Sequence, residues 1–71
     1  MMPLTMVNAG EPNVICKVGG REETKKFLEN LGFVTGGTVT VITQMDGNVI
    51  VSVKDSRVAI GKDMANKIMV G

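Results

Sequence analysis

The chain has 71 residues, with 8 Lys and Arg against 7 Asp and Glu, and a net charge of +1. A chain of this length is expected to form a single domain over residues 1–71, which excludes a large enzyme with a separate cofactor domain. The absence of His excludes Ser-His-Asp triads, Cys-His pairs and imidazole metal sites within one chain. Balanced charge and only two aromatic residues also give no electrostatic or stacking footprint for nucleic acid.

The N-terminal third is predicted to hold two short strands, because β-branched and apolar residues alternate with turn residues. We predict strands at Leu4–Val7 and Asn13–Val18, separated by a turn, and assign Met1-Met2 no structural role. Cys16 lies in the second strand and is expected to be buried or half-buried. A single cysteine excludes an intrachain disulfide and suits a reducing compartment.

Residues 21–31 are predicted to form the one substantial helix. Glutamates at 22 and 23 lie in its first turn, where the positive end of the helix dipole favours them. Gly32 fits the left-handed position that ends a helix, and Phe33 can then pack back on the last turn. The apolar stripe expected to face the core comprises Phe27, Leu28 and Leu31.

A hairpin is predicted next, with strands at Thr38–Met45 and Val49–Lys54. A two-residue loop at Asp46-Gly47 would pair Val41 with Ser52, which mixes apolar and polar residues on one face. A three-residue loop at 46–48 pairs Val41 with Val53 and keeps the valines together. We therefore predict the three-residue loop, although Asp-Gly is itself a strong two-residue signal.

The rest of the chain is predicted to form a turn at Asp55-Ser56, a strand at Arg57–Ile60, a helical turn over 61–66 and a last strand at Lys67–Val70. The predicted fold class is mainly β. It is a small SH3-like barrel of five or six short strands with one inserted α-helix at about residues 21–31.

No arrangement of residues indicates catalysis, so no catalytic, cofactor-binding or metal-ligating residue is predicted. The carboxylates are scattered along the chain without a metal-ligand spacing, and Cys16 is the only soft ligand. Gly19-Gly20-Arg21 before the helix has some anion-site character, but a turn that leads into the helix is the simpler interpretation.

Five residues are candidates for contact with a partner protein. Ile42 and Ile50 are expected on the outer face of the hairpin, opposite the valines, where an exposed apolar pair would mark a binding patch. The other three, Leu31, Gly32 and Phe33, lie at the end of the predicted helix.

Three segments of the sequence together resemble the FeoA-like family of ferrous iron transport proteins. Residues 31–39 (LGFVTGGTV) resemble its central signature, Leu-Gly-apolar-apolar-Pro-Gly-x-x-Val, with Thr35 in place of the usual proline and Asn48 near another position where the family often has proline. The opening and closing segments of the family are matched by Pro3-Leu4, Gly10, Val58-Ala59-Ile60, Ala65 and Ile68-Met69-Val70.

The resemblance implies a small cytoplasmic accessory protein of Fe(II) uptake. Members of the family are often described as binding transition metals, but the residues of this chain argue against a strong metal site within one chain. No resident cofactor, enzymatic activity or membrane insertion is therefore expected. The resemblance also implies a contact with the cytosolic domain of a FeoB-type membrane transporter. One alternative is a stand-alone metal-responsive regulatory module that binds a transition metal through carboxylates, in a weak homo-oligomer. The other is a generic SH3-like peptide-binding domain, which the lack of Trp and Tyr disfavours.

Overall fold

The computed structural model describes all residues from 1 to 71, and it is mainly β. The six strands are β1 Met2–Pro3, β2 Pro12–Val18, β3 Thr38–Met45, β4 Asn48–Val53, β5 Ser56–Gly61 and β6 Ile68–Val70. The helices are α1 Glu22–Leu31 and α2 Lys62–Ala65, and a 3-10 turn covers Leu4–Met6. The fold class predicted from the sequence, short strands with one inserted helix, is confirmed.

The strands form one antiparallel sheet in the order β1-β6-β2-β3-β4-β5. Strand β2 belongs to both halves of this sheet. Its residues 12–14 pair with β3, whereas Ile15, Lys17 and Val18 pair with β6 on the opposite edge. The sheet therefore curls around β2, which lets a short chain enclose a core between the two halves.

The interior of the molecule is entirely apolar. It contains no buried polar or charged side chain, and Phe33 is the largest of the fully buried residues. The other members of the core are Leu4, Ile15, Val18, Leu28, Val39, Val41, Val49, Val51, Val53, Ile60, Ala65, Ile68 and Val70. Burial of a polar group is unfavourable unless it finds a hydrogen-bonding partner, and this interior contains only apolar side chains. The polar and charged side chains that could bind a ligand therefore lie at the surface.

The predicted three-residue loop between β3 and β4 is wrong. Met45 pairs with Asn48 across a two-residue turn, in which Asp46 and Gly47 both have positive φ. The register then shifts by one at Ile42, so Val41 pairs with Val51. A bulge thus satisfies both signals in the sequence, since it permits the Asp-Gly turn and still keeps the valines on one face.

The turn between β4 and β5 also lies one residue earlier than predicted. Val53 pairs with Ser56, so the turn is Lys54-Asp55 and not Asp55-Ser56. Both of its residues have positive φ, at 47° and 63°, the conformation of a type I′ turn without glycine. The prediction placed Ser56 in the turn because serine is common in turns. In the structure Ser56 pairs with Val53 and is the first residue of β5, so strand pairing fixes the position of the turn.

The predicted strand at Leu4–Val7 is wrong, because this segment forms the 3-10 turn instead. Two hydrogen bonds hold the 3-10 turn in place. Gln44 Nε2 donates to the Thr5 carbonyl at 3.1 Å, and Thr5 Oγ1 donates to Asn66 Oδ1 at 2.5 Å. The first strand instead comprises Met2–Pro3, and Met2 pairs with Val70. Met2 therefore has a structural role, contrary to the expectation that Met1-Met2 has none.

Helix α1 begins one residue after its predicted start and ends where predicted. Gly32 ends it in the left-handed region, at φ 112°, and the Phe33 N–H donates to the Leu28 carbonyl at 3.0 Å. Leu28 is buried, and Leu31 packs against the core from its edge. Phe27 is the exception, since 48% of its surface is exposed. The expectation that Phe27 belongs to the core is wrong, because only one side of this short helix reaches the sheet.

Candidate functional site

The largest surface cavity of the molecule is a cleft between strand β2 and helix α1, with a volume of about 370 Å³. The sheet and the helix each supply part of it, and the segment after the helix supplies the rest. Its lining residues are Cys16, Lys17, Val18, Lys25, Glu29, Phe33, Val34 and Thr35. We call it the β2–α1 cleft.

The cleft exists because β3 separates from β2 partway along that strand. Pairing between the two ends at Val14, and the last backbone bonds on this side join Ile15 to the loop before β3. The Ile15 N–H donates to the Gly37 carbonyl at 2.9 Å, and the Gly36 N–H donates to the Ile15 carbonyl at 2.8 Å. Beyond Ile15, Lys17 and Val18 pair only with β6, and Cys16 has no partner in either strand. Their other edge is therefore free of a strand neighbour and faces the space beside α1.

A β-bulge shapes the start of this free edge. The pairing of β2 with β6 shifts by one residue between Ile15 and Lys17, so Cys16 is the extra residue. The bulge turns Cys16 to the surface, where it is exposed and its Sγ lies 3.8 Å from the Val14 carbonyl oxygen. The expectation that Cys16 is buried or half-buried is wrong, because strand alternation is interrupted at this residue.

The floor of the cleft is apolar and its rim is charged. Val18 and Phe33 belong to the buried core, and Val34 is half-buried. Lys17 on the strand is exposed, and Lys25 on the helix is half-buried. Two ammonium groups on facing walls are thus accompanied by a single carboxylate, Glu29, one helical turn after Lys25. The rim favours an anionic group by Coulomb attraction.

The five partner-contact candidates occupy two separate places. Phe33 lines the β2–α1 cleft but, like Gly32, it is buried, and Leu31 is half-buried. Ile42 and Ile50 are also half-buried, on the outer side of the hairpin. No cleft is lined by members of both groups. Contact of these five residues with a partner stays a prediction. Because Gly32 and Phe33 are buried, they would contribute by shaping the surface around them.

The lysines of the cleft were not predicted from the sequence as site residues. The available signal was spacing. The turn at Gly19-Gly20 leads from β2 into α1, and Lys25 and Glu29 are four residues apart, so they share one side of that helix. That side of α1 lines the same cavity as Lys17 of β2.

The surface has two further, smaller cavities. A polar cleft of about 330 Å³ lies over the outer side of β3 and β4, and one of about 110 Å³ lies near the N-terminus. The polar cleft is lined by Thr38, Thr40, Ser52, Lys54 and Asp55. The N-terminal cavity is lined by Met2, Met6, Val7, Asn8, Glu11 and Asn13.

The carboxylates and the thiol do not converge. Nowhere do three Cys, Asp or Glu side chains approach closely enough to ligate one metal ion. The two helices also lack the length and apolar character that a membrane-spanning helix needs.

Comparison with known proteins identifies relatives over nearly the whole chain. The family model described as the FeoA domain matches residues 2–71. A protein of Methanocaldococcus jannaschii named as an Fe(2+) transport protein A is 36% identical over 70 residues, which cover 99% of this chain and 85% of that protein.

Solved structures of similar fold include members of the same family. A crystal structure of an iron uptake regulatory protein (FeoA) matches with a TM-score of 0.89 and 31% identity, over 99% of this chain and 93% of that one. ScaR with bound Zn2+ matches with a TM-score of 0.87 over 99% of this chain and 36% of that one. At 17% identity, the likeness to ScaR shows a shared fold alone.

Proposed function

This chain belongs to the FeoA family, and from that membership we propose that it assists Fe(II) uptake by binding the cytosolic part of a FeoB-type membrane transporter. The family gives the coarser role, which is that of a small accessory domain of ferrous iron transport and not of an enzyme. The finer proposal is that the accessory role is exerted in the cytoplasm, through protein contact, by residues 1–71 as a single domain.

The observation that carries the proposal is the family match over residues 2–71, combined with the distribution of polar groups in the fold. All buried side chains are apolar, so the interior offers no site for a polar substrate or for Fe(II). The polar and charged side chains all lie at the surface of a molecule with principal extents of 28 × 24 × 23 Å. The simplest way for such a molecule to assist transport is to bind the transporter through its surface.

Exposed apolar side chains give the surface places where such docking could gain free energy. Phe27 on α1 and Met6 near the N-terminus expose 48% and 70% of their surfaces. Aromatic residues and methionine are both enriched at protein interfaces. Met side chains can also adapt to the shape of a partner, because three rotatable bonds let them repack.

The test is a binding measurement between the full chain and the FeoB-type transporter of the same organism, purified in detergent. We expect a saturable complex by biolayer interferometry, and Fe(II) transport in proteoliposomes that changes when the chain is added. A titration of the chain alone with Fe(II), Mn(II) and Zn(II) separates this proposal from a metal-responsive module. Metal binding tighter than micromolar, without any complex with the transporter, would refute the docking function.

A further inference from the structure

We propose that the β2–α1 cleft binds an extended acidic segment of a partner protein, which lies along the free edge of β2 with its carboxylates between Lys17 and Lys25. This inference rests on the proposed function for the identity of the partner, the FeoB-type transporter. It adds the place of contact and the chemistry that recognises the segment.

The free edge of β2 supplies the first part of the recognition. Lys17 and Val18 pair with β6 on one side, whereas pairing with β3 on the other side ends at Val14. A strand edge that has lost its neighbour presents backbone donors and acceptors, and an extended peptide can add to it as a further strand. The bulge at Cys16 limits the available edge to a few residues, which suits a short segment and disfavours a long sheet extension.

The floor of the cleft supplies the second part. Val18 and Phe33 close it from below, and Val34 lies half-buried beside them. Alternate side chains of an extended peptide point to opposite sides, so one apolar side chain could rest on this floor. A volume of about 370 Å³ is near the lower end of the range of about 300–1,000 Å³ for ligand pockets, and is thus enough for a short segment only.

The charges supply the third part and decide the sign of the ligand. Lys17 and Lys25 stand on the strand wall and the helix wall, and Glu29 is the only acid that lines the cleft. The cleft therefore carries an excess of one positive charge, and Glu29 would repel an acidic group placed at its own end. An acidic side chain in the segment is expected to pair near Lys17 and Lys25, away from Glu29. Like-charge contact would reject a basic segment, which gives the cleft specificity.

The test uses adjacent lysines on the same helix. Lys25 lines the cleft, whereas Lys26 is exposed and lines no cavity of the protein. The variants K17E and K25E are compared with K26E, which makes the identical change of charge outside the cleft. We expect the dissociation constant for the transporter to rise at least tenfold for K17E and K25E, and less than twofold for K26E. K25Q repeats the test without charge reversal, and thermal unfolding confirms that each variant is folded.

A second measurement uses Cys16, the only thiol of the chain, as a reporter within the cleft. A thiol-reactive fluorophore should label Cys16 at least fivefold more slowly when the transporter is bound. Equal losses of affinity for K25E and K26E, or unchanged labelling of Cys16 in a formed complex, would overturn the cleft proposal while the proposed function stands.

The two proposals can also fail independently. If the wild-type chain forms no complex with the transporter, the proposed function fails. The cleft is then tested with synthetic octapeptides of alternating Glu and Val, and of alternating Lys and Val. Protection of Cys16 by the acidic peptide alone, lost in K25E and retained in K26E, supports an acidic-segment site. Protection by neither peptide, or by both, overturns it.

Discussion

Val41 lies directly opposite Val51 in the β3–β4 pair, and the bulge at Ile42 keeps both valines in the core. If β3 paired regularly, without a bulge, the two-residue turn at Asp46-Gly47 would place Ser52 opposite Val41. The bulge therefore couples the geometry of an exposed turn to the packing of the interior. It also lies on the outer side of the hairpin, where Ile42 and Ile50 are half-buried.

Deletion of Ile42 should leave the protein folded. It removes the extra residue, so the pairs Val41–Val51 and Thr43–Ile50 follow each other in a regular ladder and the valines of β3 stay in the core. The deletion should lower the free energy of unfolding by about 1–3 kcal/mol, because the half-buried Ile42 side chain and the local bend of the bulge are lost. I42A keeps the backbone of the bulge and should cost no more than about 2 kcal/mol. Urea unfolding followed by far-UV circular dichroism measures both variants, and an unfolded deletion variant would show that the fold needs the bend of the bulge as well as the register.

Gly47 should be required for its conformation and not for space. Its φ is +85°, and a Cβ added there would meet no atom within 4 Å. An L-alanine at this position should lower the free energy of unfolding by about 1–2 kcal/mol, the cost of a left-handed L-residue.

The control for Gly47 is D-alanine at the same position, introduced by chemical synthesis of the chain. D-alanine favours positive φ and restricts the unfolded chain, so it should retain or slightly raise the stability of the native protein. Equal losses for the two alanines in urea unfolding would show that the conformation of the turn is not the cause.

Asp55 offers the opposite change, a gain in stability. It has φ 63° in a turn whose two central residues both have positive φ and neither is glycine. D55G should raise the free energy of unfolding by about 0.5–1 kcal/mol, because Gly at the second position of a type I′ turn relieves the left-handed strain. For a domain of this size that corresponds to an increase in Tm of roughly 2–8 °C in a calorimetric scan. A decrease in Tm would mean that the Asp55 side chain contributes more than the turn geometry indicates.

The two phenylalanines should respond differently to truncation. Phe33 is completely buried, whereas Phe27 is 48% exposed. F33A should cost about 3–5 kcal/mol, enough to unfold much of the population at 25 °C, and F33L should cost less because it refills most of the space. F27A should cost about 1 kcal/mol or less, since the helix loses only part of one contact. Chemical denaturation of the three variants checks this order. An F27A variant as unstable as F33A would mean that Phe27 is part of the core after all.

These contrasts show what the sequence could and could not predict. Strand β3 was predicted with its observed bounds because Val39 and Val41 alternate with threonines, and the end of α1 was predicted because Gly32 carries a specific conformational signal. The bulges at Cys16 and Ile42 could not be predicted, since each is decided by pairing between strands distant in sequence. The β2–α1 cleft could not be predicted either, because Lys17 and Lys25 come to line one cavity only through tertiary structure.

Cys16 provides a direct test of that first bulge. Regular alternation along β2 would not account for Cys16 and Lys17 both being exposed between the buried Ile15 and Val18, whereas one extra residue in the strand does. The native protein should therefore react with a small disulfide reagent within tenfold of the rate measured in 6 M urea. C16S should change the free energy of unfolding by less than about 0.5 kcal/mol, as for other exposed positions. A native thiol protected a hundredfold or more would mean that Cys16 points inward and that the bulge, together with the strand wall of the β2–α1 cleft, is absent in solution.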